Sequence, residues 1–327
     1  MKEFLGLPID AAAHGGDIDQ MIGVVHWLMF VLFAGWGSFF IYTLYRFRRR
    51  AQSAANYTGV RTHVSSYLEA GLAVFEVVLL VGFAFPLWSA RVTEFPPDDT
   101  ATVVRVVAEQ FIWNIHYPGA DGEFGTTIAS LVSAENPIGL DRTDPSAKDD
   151  IVSVNQMNLP VNKPVIVRLT TKDVIHSFGL PLFRVKQDAI PGETVRLWFT
   201  PTMTTAEIRD RLVRRYSLRE GVLPRELQGP YSAAEDYADK DGNVIVGKGY
   251  SFSEEAVQQL TAAGIFDVKA SPDSPTEIAC AQLCGLGHYR MRGFVTVQTQ
   301  EEFDQWMKEQ EAMIPQDVPA ETAPQVQ

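Results

Sequence analysis

Residues 277–291 of this chain read EIACAQLCGLGHYRM, and they contain both of its cysteines, Cys280 and Cys284, followed by His288 and Met291. Thiolate, imidazole and thioether are the ligand types that soft and borderline metals bind, copper above all. Because all the thiols of the chain lie in this one cluster, we expect a metal site there.

Three other interpretations are open from spacing alone. A disulfide is possible in an oxidising compartment, but it would leave His288 and Met291 without a role. Two cysteines, His288 and one distant histidine would also complete a tetrahedral zinc site. Finally, Met291 could be an ordinary core residue and the cluster a coincidence. Ligand preference favours copper, and the rest of the chain has to decide.

The chain has 327 residues, of which 46% are hydrophobic, and nearly all of its long apolar runs lie before residue 91. Residues 22–45 and 67–90 are each about the length that crosses a bilayer as a helix. The first run has no Asp, Glu, Lys or Arg, whereas the second contains Glu69 and Glu76. We therefore predict a transmembrane helical hairpin over residues 21–91, preceded by an external segment of residues 1–20.

The segment between the two runs, residues 46–61, is rich in arginine and contains no acidic residue. The positive-inside rule places this loop in the cytoplasm and both chain ends on the external side. A cleavable signal peptide is an alternative for the first run. The acidic residues that precede it, Asp10, Asp17 and Asp19, argue against that alternative.

The pattern changes after residue 91 to short β-rich runs at 102–107, 164–170, 194–199 and 293–297, each bounded by turn residues. This pattern predicts a small β-sandwich or barrel over residues 92–310. Residues 202–274 interrupt it with two charged helical stretches, 205–216 and 253–263, and a turn at 241–243, which predicts an inserted α-rich subdomain. Residues 311–327 have the composition of a disordered tail.

The formal net charge is −12, from 28 basic and 40 acidic residues, and the external part is more acidic than the whole. Such a surface can steer a basic protein partner toward it, although the same charge also keeps a domain soluble. The sequence has no nucleic-acid-binding signature. It also lacks Cys-x-x-Cys-His, so we expect no c-type haem on this chain.

Two further motifs accompany the cysteine cluster: KDVIHSFGLP at residues 172–181, with His176, and RVKQDAIPG at residues 184–192. With these motifs in order behind two apolar runs, the chain resembles subunit II of haem-copper cytochrome c oxidases over nearly all of its length outside the insertion. The resemblance implies a two-helix transmembrane hairpin followed by an all-β, cupredoxin-like Greek-key barrel or sandwich.

The resemblance also implies a binuclear copper centre, CuA, in which two thiolates bridge two copper ions. The implied ligands are Cys280 and Cys284 as bridges, His176 and His288 as terminal ligands, and Met291 and the backbone carbonyl of Gln282 as weak axial ligands. A stiff β-scaffold that brings ligands from separate loops together would hold their geometry.

At Gln282 the chain departs from the family pattern, which has a glutamate that also helps to hold magnesium at the subunit boundary. A neutral amide is a weaker ligand for this hard cation, which argues against magnesium binding here. Lys186 and Asp188 match positions that face the catalytic subunit, but they could also be ordinary hairpin charges. Asp173 is expected to orient the nearby copper ligands.

Two further assignments follow from the resemblance. Trp113 matches the aromatic-rich strand through which electrons enter, with core packing as the alternative. Glu69 matches the family's proton-entry glutamate, with a snorkelling interfacial residue as the alternative. We assign no role to Glu76.

The implied function is the electron-entry subunit of a proton-pumping terminal oxidase in the membrane lipid of a bacterial inner membrane. It would accept electrons from a cytochrome c-type donor or an upstream electron-transfer complex. It would pass them to haem in the catalytic subunit, which reduces O2 to water, within a complex of several oxidase subunits. The alternatives are a quinol oxidase, which generally lacks the copper ligands present here, a related nitric oxide reductase, and a membrane-anchored copper carrier. The insertion could serve to dock an upstream complex.

Overall fold

The computed structural model describes residues 4–49, 62–218 and 221–314. The chain forms two compact units, one of residues 1–8 and 14–95 and the other of residues 9–13 and 96–327. Most of the predicted basic loop and the predicted tail from residue 315 onward lie outside the described residues.

The first unit is helical. It contains α1 (Gly15–Arg46) and a second helical segment made of α2 (Val64–Leu79), a π-turn (Leu80–Ala84) and α3 (Phe85–Val92). The two segments have 32 and 29 residues and mean hydropathies of 1.8 and 2.2, and hardly any of their apolar side chains is buried. At 1.5 Å per residue, each is long enough to cross a bilayer. Both predicted apolar runs are therefore helices that fit a membrane anchor.

The π-turn ends at Ala84, two residues before Pro86, within the second helical segment. A proline has no backbone N–H, and its ring crowds the carbonyl group four residues earlier. The N–H of Phe85 bonds to the carbonyl oxygen of Leu80, five residues back, which widens the turn at this point. The helix therefore continues through Pro86 to Val92.

The bounds predicted for a separate external segment, residues 1–20, do not match the structure. Ala11 donates its N–H to the carbonyl oxygen of Leu182 at 2.8 Å, and Ala13 donates to Thr200 at 3.0 Å. Ala11 and Ala12 are buried in the core of the second unit, and α1 already begins at Gly15. These small side chains let the backbone approach the sheets closely. Alanines give a weak apolar signal, so the sequence did not predict this contact.

Two five-stranded sheets form the main part of the second unit. The strands of the first sheet are β1 (Thr102–Glu109), β2 (Ile112–Tyr117), β3 (Ile151–Val154), β5 (Val165–Thr171) and β8 (Val195–Phe199). The strands of the second are β4 (Gln156–Pro160), β6 (His176–Leu180), β7 (Val185–Ala189), β14 (Glu277–Cys280) and β15 (Arg292–Gln298). The strand orders are β3-β2-β1-β5-β8 and β4-β15-β14-β6-β7. The four β-rich runs that the sequence predicts are all strands.

The core lies between the two sheets. The period-two alternation of strands places Val104, Val106 and Ala108 of β1 on the inner face of the first sheet, where they are buried. Phe178 of β6 and Val297 of β15 belong to the same apolar cluster from the other sheet. The predicted β-sandwich is therefore confirmed.

A helix that the sequence did not predict, α6 (Gln300–Ala312), follows β15. A capping box between Thr299 and Glu302 starts it. Phe303 and Trp306 join the core cluster, and the Trp306 ring lies 5.1 Å from that of Tyr117. The predicted tail boundary at residue 311 is therefore wrong, because the helix still holds residues 311 and 312.

The insertion has an apolar core of its own. Its elements are α4 (Thr205–Arg211), β9 (Arg214–Ser217), β10 (Tyr231–Ala233), β11 (Tyr237–Ala238), β12 (Val244–Val246), α5 (Glu254–Ala262) and β13 (Asp267–Pro272). The helix predicted over 205–216 ends at Arg211, and the helix predicted over 253–263 and the turn at Gly242 are confirmed. Ile208 of α4 packs in the main core, whereas the buried residues of the separate core begin at Leu218, with the partly buried Tyr216 packed against them. Strands as well as helices build the insertion, since β9, β10 and β13 form a sheet.

Candidate metal centre

Strand pairing brings the distant histidine beside the cysteines. His176 is the first residue of β6, and Cys280 is the last residue of β14. These strands are antiparallel neighbours in which Cys280 pairs with Phe178. Paired residues of an antiparallel sheet point to the same face, as do alternate residues along one strand, so His176 and Cys280 share the inner face. Cys284, His288 and Met291 follow in the loop between β14 and β15.

The side chains of this cluster form a connected set around two sulfur atoms. The Sγ atoms of Cys280 and Cys284 lie 3.8 Å apart. Nδ1 of His176 is 3.9 Å from Sγ of Cys280, and Nδ1 of His288 is 3.6 Å from Sγ of Cys284. Sδ of Met291 lies 3.7 Å from Sγ of Cys284. The carbonyl oxygen of Gln282 lies 3.2 Å from Sγ of Cys280.

These separations fit a metal site better than a disulfide. A disulfide needs its sulfur atoms about 2.05 Å apart, and both cysteines are free here. Donors around one tetrahedral ion, with metal–ligand bonds of about 2.0–2.3 Å, lie about 3.5 Å from one another. The donor atoms of His176, Cys280 and Cys284 all lie within 4.8 Å of one another. The donor set therefore fits a soft metal, and the thioether beside Cys284 favours copper over zinc.

Because the site is buried, a thiolate there needs a neighbouring positive charge. Cys284 and Met291 are 4% and 3% exposed, and His176 is fully buried. Burial, followed by the neighbouring Cys280, raises the pKa of the Cys284 thiol to about 11. Such a thiol is neutral at pH 7 unless a positive charge lies beside it, which a bound metal ion would supply.

Asp173 fixes the orientation of His176. Its Oδ1 lies 2.9 Å from Nε2 of His176, which leaves Nδ1 of the ring directed at Cys280. Asp173 also accepts hydrogen bonds from the backbone N–H groups of Gln110 and Val174, each at 2.7 Å. Partial burial raises the pKa of Asp173, but these hydrogen bonds outweigh it and hold the pKa below its ordinary value. A carboxylate behind a ligating histidine is a common arrangement in metal sites.

Gln110 and Phe111, to which the sequence assigns no site role, hold the cysteine loop. The side-chain amide of Gln110 donates to the carbonyl oxygen of Cys284 at 2.5 Å, and the ring of Phe111 packs over the loop. A Cβ atom built on Gly287 would lie 2.3 Å from that ring. Gly285, at φ +136°, adopts a conformation that favours glycine. The glycines in the loop are the only sequence signal of this close approach.

Trp113, which the resemblance links to electron entry, lies in the core beside His176. Its side chain is fully buried, with its ring 5.5 Å from that of Phe178 and 6.2 Å from that of His176. It therefore cannot contact a docked protein directly. This packing fits the core alternative, while electron entry through Trp113 stays a prediction. The half-buried Phe111 lies nearer the surface of the loop.

Lys186 and Asp188 lie on the exposed face of the second sheet. They pair with Gly179 and Ser177 of β6, whereas His176 pairs with Ala189. Lys186 and Asp188 therefore point away from the sulfur atoms, and both are exposed. The structure places them on a different surface from the donor cluster.

The two glutamates of the second helical segment are both exposed. Glu69 lies in the first half of α2, and Glu76 lies near its end. Because an ionisable side chain is costly in lipid, these positions need water or a protein partner in a membrane.

A family model described as the periplasmic domain of cytochrome c oxidase subunit II matches residues 102–206. The chain is 28% identical over 300 residues to the alternative cytochrome c oxidase subunit 2 of Bradyrhizobium diazoefficiens, covering 91% of this chain and 82% of that protein. It is 29% identical over 197 residues to cytochrome c oxidase subunit 2 of Cereibacter sphaeroides, covering 54% and 62%.

Among solved structures, one similar chain is the periplasmic domain of subunit II of cytochrome oxidase from Bradyrhizobium japonicum. It has a TM-score of 0.34 and 20% identity, and the match covers 68% of this chain and all of that one. A haem-copper terminal oxidase dimer also matches, with a TM-score of 0.31 and 13% identity, covering 71% of this chain and 99% of the matched chain.

Proposed function

Because this chain belongs to the cytochrome c oxidase subunit II family, we propose that its donor cluster holds a binuclear copper centre through which electrons enter the oxidase. The chain is a component of a haem-copper oxidoreductase, so its donors serve electron transfer, while the O2 chemistry belongs to another subunit. The ligands in this proposal are His176, Cys280, the Gln282 carbonyl, Cys284, His288 and Met291.

The observation that carries the proposal is the paired arrangement of the donors. Each cysteine has its own histidine: Cys280 lies beside His176, and Cys284 lies beside His288. Each also has one weak donor, the carbonyl oxygen of Gln282 beside Cys280 and Met291 beside Cys284. Two equivalent sets of donors joined through adjacent thiols support two metal ions rather than one.

The residues of the chain provide rigidity and exclude water. When bound, copper supplies one-electron redox chemistry. His176 is held on a strand and by Asp173, while Cys284 and Met291 are buried. A site that is preorganised in this way changes little when its charge changes, because its ligands have no room to rearrange.

The cysteine loop exposes three large apolar side chains, which suits contact with other proteins. Leu283, Leu286 and Tyr289 are 78%, 97% and 82% exposed. Exposed apolar side chains grouped on one loop are typical of an interaction surface. The net charge of −12 favours a basic, cytochrome c-type donor, whose approach to an acidic chain would be faster at low salt.

Further roles belong to the same proposal. Lys186 and Asp188 would face the catalytic subunit, and Glu69 would admit protons for pumping. The two helices would anchor the chain in the bacterial inner membrane with both termini on the periplasmic side. The neutral Gln282 side chain gives little support to magnesium binding at the subunit boundary.

Copper quantification and electron paramagnetic resonance of the purified full-length chain in detergent test the proposal. We expect two copper ions per chain and, in the mixed-valence state, a seven-line pattern, because one unpaired electron is shared by two copper nuclei. Cys284→Ser should abolish this pattern, whereas Met157→Leu, a matched change in the core, should preserve it. One copper per chain, or a four-line spectrum, would refute the binuclear site.

A further inference from the structure

A large cleft lies on the face of the first sheet that points away from the core. Its volume is about 1020 Å³. The floor of the cleft contains Arg105 and Val107 of β1 with Arg168 and Thr170 of β5. Phe124 and Ile138, from the loop between β2 and β3, form part of the wall. The alternation that buries Val104 and Val106 in the core directs Arg105 and Val107 to this outer face. The cleft therefore follows from the strand pattern, although no role for it is included in the proposed electron transfer.

Strand pairing places three arginines side by side across this face. Arg105 pairs with Arg168 on the neighbouring strand, and Arg168 pairs with Arg196 on the next. A single carboxylate, Asp98, bridges Arg168 and Arg196, at 2.9 Å from each. Like charges on adjacent strands are unfavourable unless an anion lies between them.

Arg105 is the arginine with capacity to bind a ligand. Its guanidinium group stacks on the ring of Phe124, 4.5 Å from the ring centre, and in the described part of the chain it makes no hydrogen bond or ion pair. Burial and the charge of Arg168 lower its pKa, while Asp150 raises it. Asp150 is itself fully buried and bonded to His116 at 2.6 Å and to the N–H of Gly125 at 2.8 Å. Stacking fixes the plane of the guanidinium and leaves its N–H edge available.

Lys172 lines the other end of the cleft, and apolar side chains line the part between Lys172 and the arginines. Lys172 forms an ion pair with Glu109 at 2.5 Å, so its charge is already compensated. Between this pair and the arginines lie Val107 and Thr170, with Val132 and Ile138 nearby in the lining. The site therefore has one cationic end and one apolar part.

The loop over the cleft is held in place before any ligand arrives. Thr126 donates its backbone N–H to Asp144 at 2.8 Å, and Ile128 bonds to the carbonyl of Gly139 at 2.7 Å. Arg142 donates to the carbonyl oxygens of Ala147 and Asp150. Preformed clefts that combine apolar walls with a few fixed polar groups are typical of small-molecule sites.

We infer that this cleft binds an organic phosphate monoester, with the phosphate on Arg105 and Arg168 and the organic group against Val107, Val132 and Ile138. Two adjacent guanidinium groups suit a dianionic tetrahedral group: Arg105 can donate two parallel hydrogen bonds, and Arg168, whose Nη2 already donates to Asp98, can add its remaining N–H groups. The hydroxyls of Thr127, Thr170 and Thr194 in the lining are further donors. This site is distinct from the copper donors and does not rest on the proposed function.

Isothermal titration of the full-length chain in detergent tests the inference, with phenyl phosphate, inorganic phosphate and benzoate as probes. We expect saturable binding of one phenyl phosphate per chain, weaker binding of inorganic phosphate, and weaker binding still of the singly charged benzoate. Arg105→Gln should weaken phenyl phosphate binding at least tenfold. Arg292→Gln, which removes an exposed arginine paired with Glu277 on the other sheet, should leave it unchanged.

Thr170→Val keeps the shape of the cleft and removes one hydrogen-bond donor, so it is the second test variant if Arg105→Gln fails to fold. We expect it to bind phenyl phosphate severalfold more weakly. Absence of saturable phenyl phosphate binding at millimolar concentration, or equal affinity in wild type and both cleft variants, would overturn the site. Benzoate binding as tight as that of phenyl phosphate would overturn the assignment to a phosphate.

Discussion

The contact between Gly287 and Phe111 yields a prediction that separates packing from backbone strain. Gly287 has φ −90° and ψ 5°, which other residues also adopt, so alanine is not excluded by its backbone conformation. A Cβ atom there would, however, lie 2.3 Å from Cδ2 and 2.6 Å from Cγ of Phe111. Gly287→Ala should therefore destabilise the chain through this ring alone.

The magnitude follows from the overlap. Both atoms lie far inside ordinary carbon contact distance, and the ring must move away from the loop that it covers. Forcing an extra methyl group into a packed site costs about 1–3 kcal/mol. For a domain of this size, each kcal/mol lowers Tm by about 2–4 °C.

Thermal unfolding of the purified chain, followed by circular dichroism, measures the effect in a double-mutant cycle. Gly287→Ala should lower Tm in the wild-type background but have almost no further effect in Phe111→Ala, where the obstructing ring is gone. Gly229→Ala is the matched control, because the nearest atom to its Cβ is 3.8 Å away. Equal losses from Gly287→Ala in both backgrounds would show that the ring is not the cause.

Two further predictions concern the ionisable groups Asp173 and His116. Asp173→Asn should lower copper affinity about 10–100-fold while the chain stays folded, because the carboxylate that orients His176 is lost. A competition titration with a chelator measures this affinity. Unchanged affinity would show that Asp173 does not support the metal site. His116 is fully buried against Asp150, and burial lowers its pKa from 6.5 despite that carboxylate, with Arg105 and Arg142 lowering it further. The unfolded chain then binds more protons than the folded chain, so the free energy of unfolding should fall as the pH drops below about 6.5. His116→Gln should flatten this part of the stability–pH curve, measured by urea unfolding. An identical curve in the variant would contradict the prediction.

The sequence predicted the elements that have a strong periodic or apolar signal. The strands Val165–Thr171 and Val195–Phe199 begin within one residue of their expected positions, because alternating β-branched residues bounded by turns specify them locally. Both apolar helices also follow from composition. Their ends do not: α1 starts at Gly15, where polar residues continue the helix beyond the apolar run.

The misses have a different physical origin. Helix α6 is charged on most of its surface, and its apolar stripe of Phe303, Trp306 and Met307 is short, so the sequence resembles a polar tail. The strands of the insertion have two to six residues, too few for alternation to be visible. The positions of Trp113 and Phe111 depend on how β2 meets the cysteine loop, which is a tertiary contact.

The donor cluster could be predicted from sequence because thiols, imidazoles and a thioether are recognisable as metal ligands from residue type alone. What only the structure adds is how each donor is presented. The departure at Gln282 illustrates this, because its carbonyl oxygen faces Cys280 at 3.2 Å while its side chain is exposed. The backbone donor is therefore independent of whether an amide or a carboxylate occupies the position. Exchanging glutamate for glutamine at this position therefore changes the charge of an exposed side chain and leaves the donor atoms of the cluster unchanged.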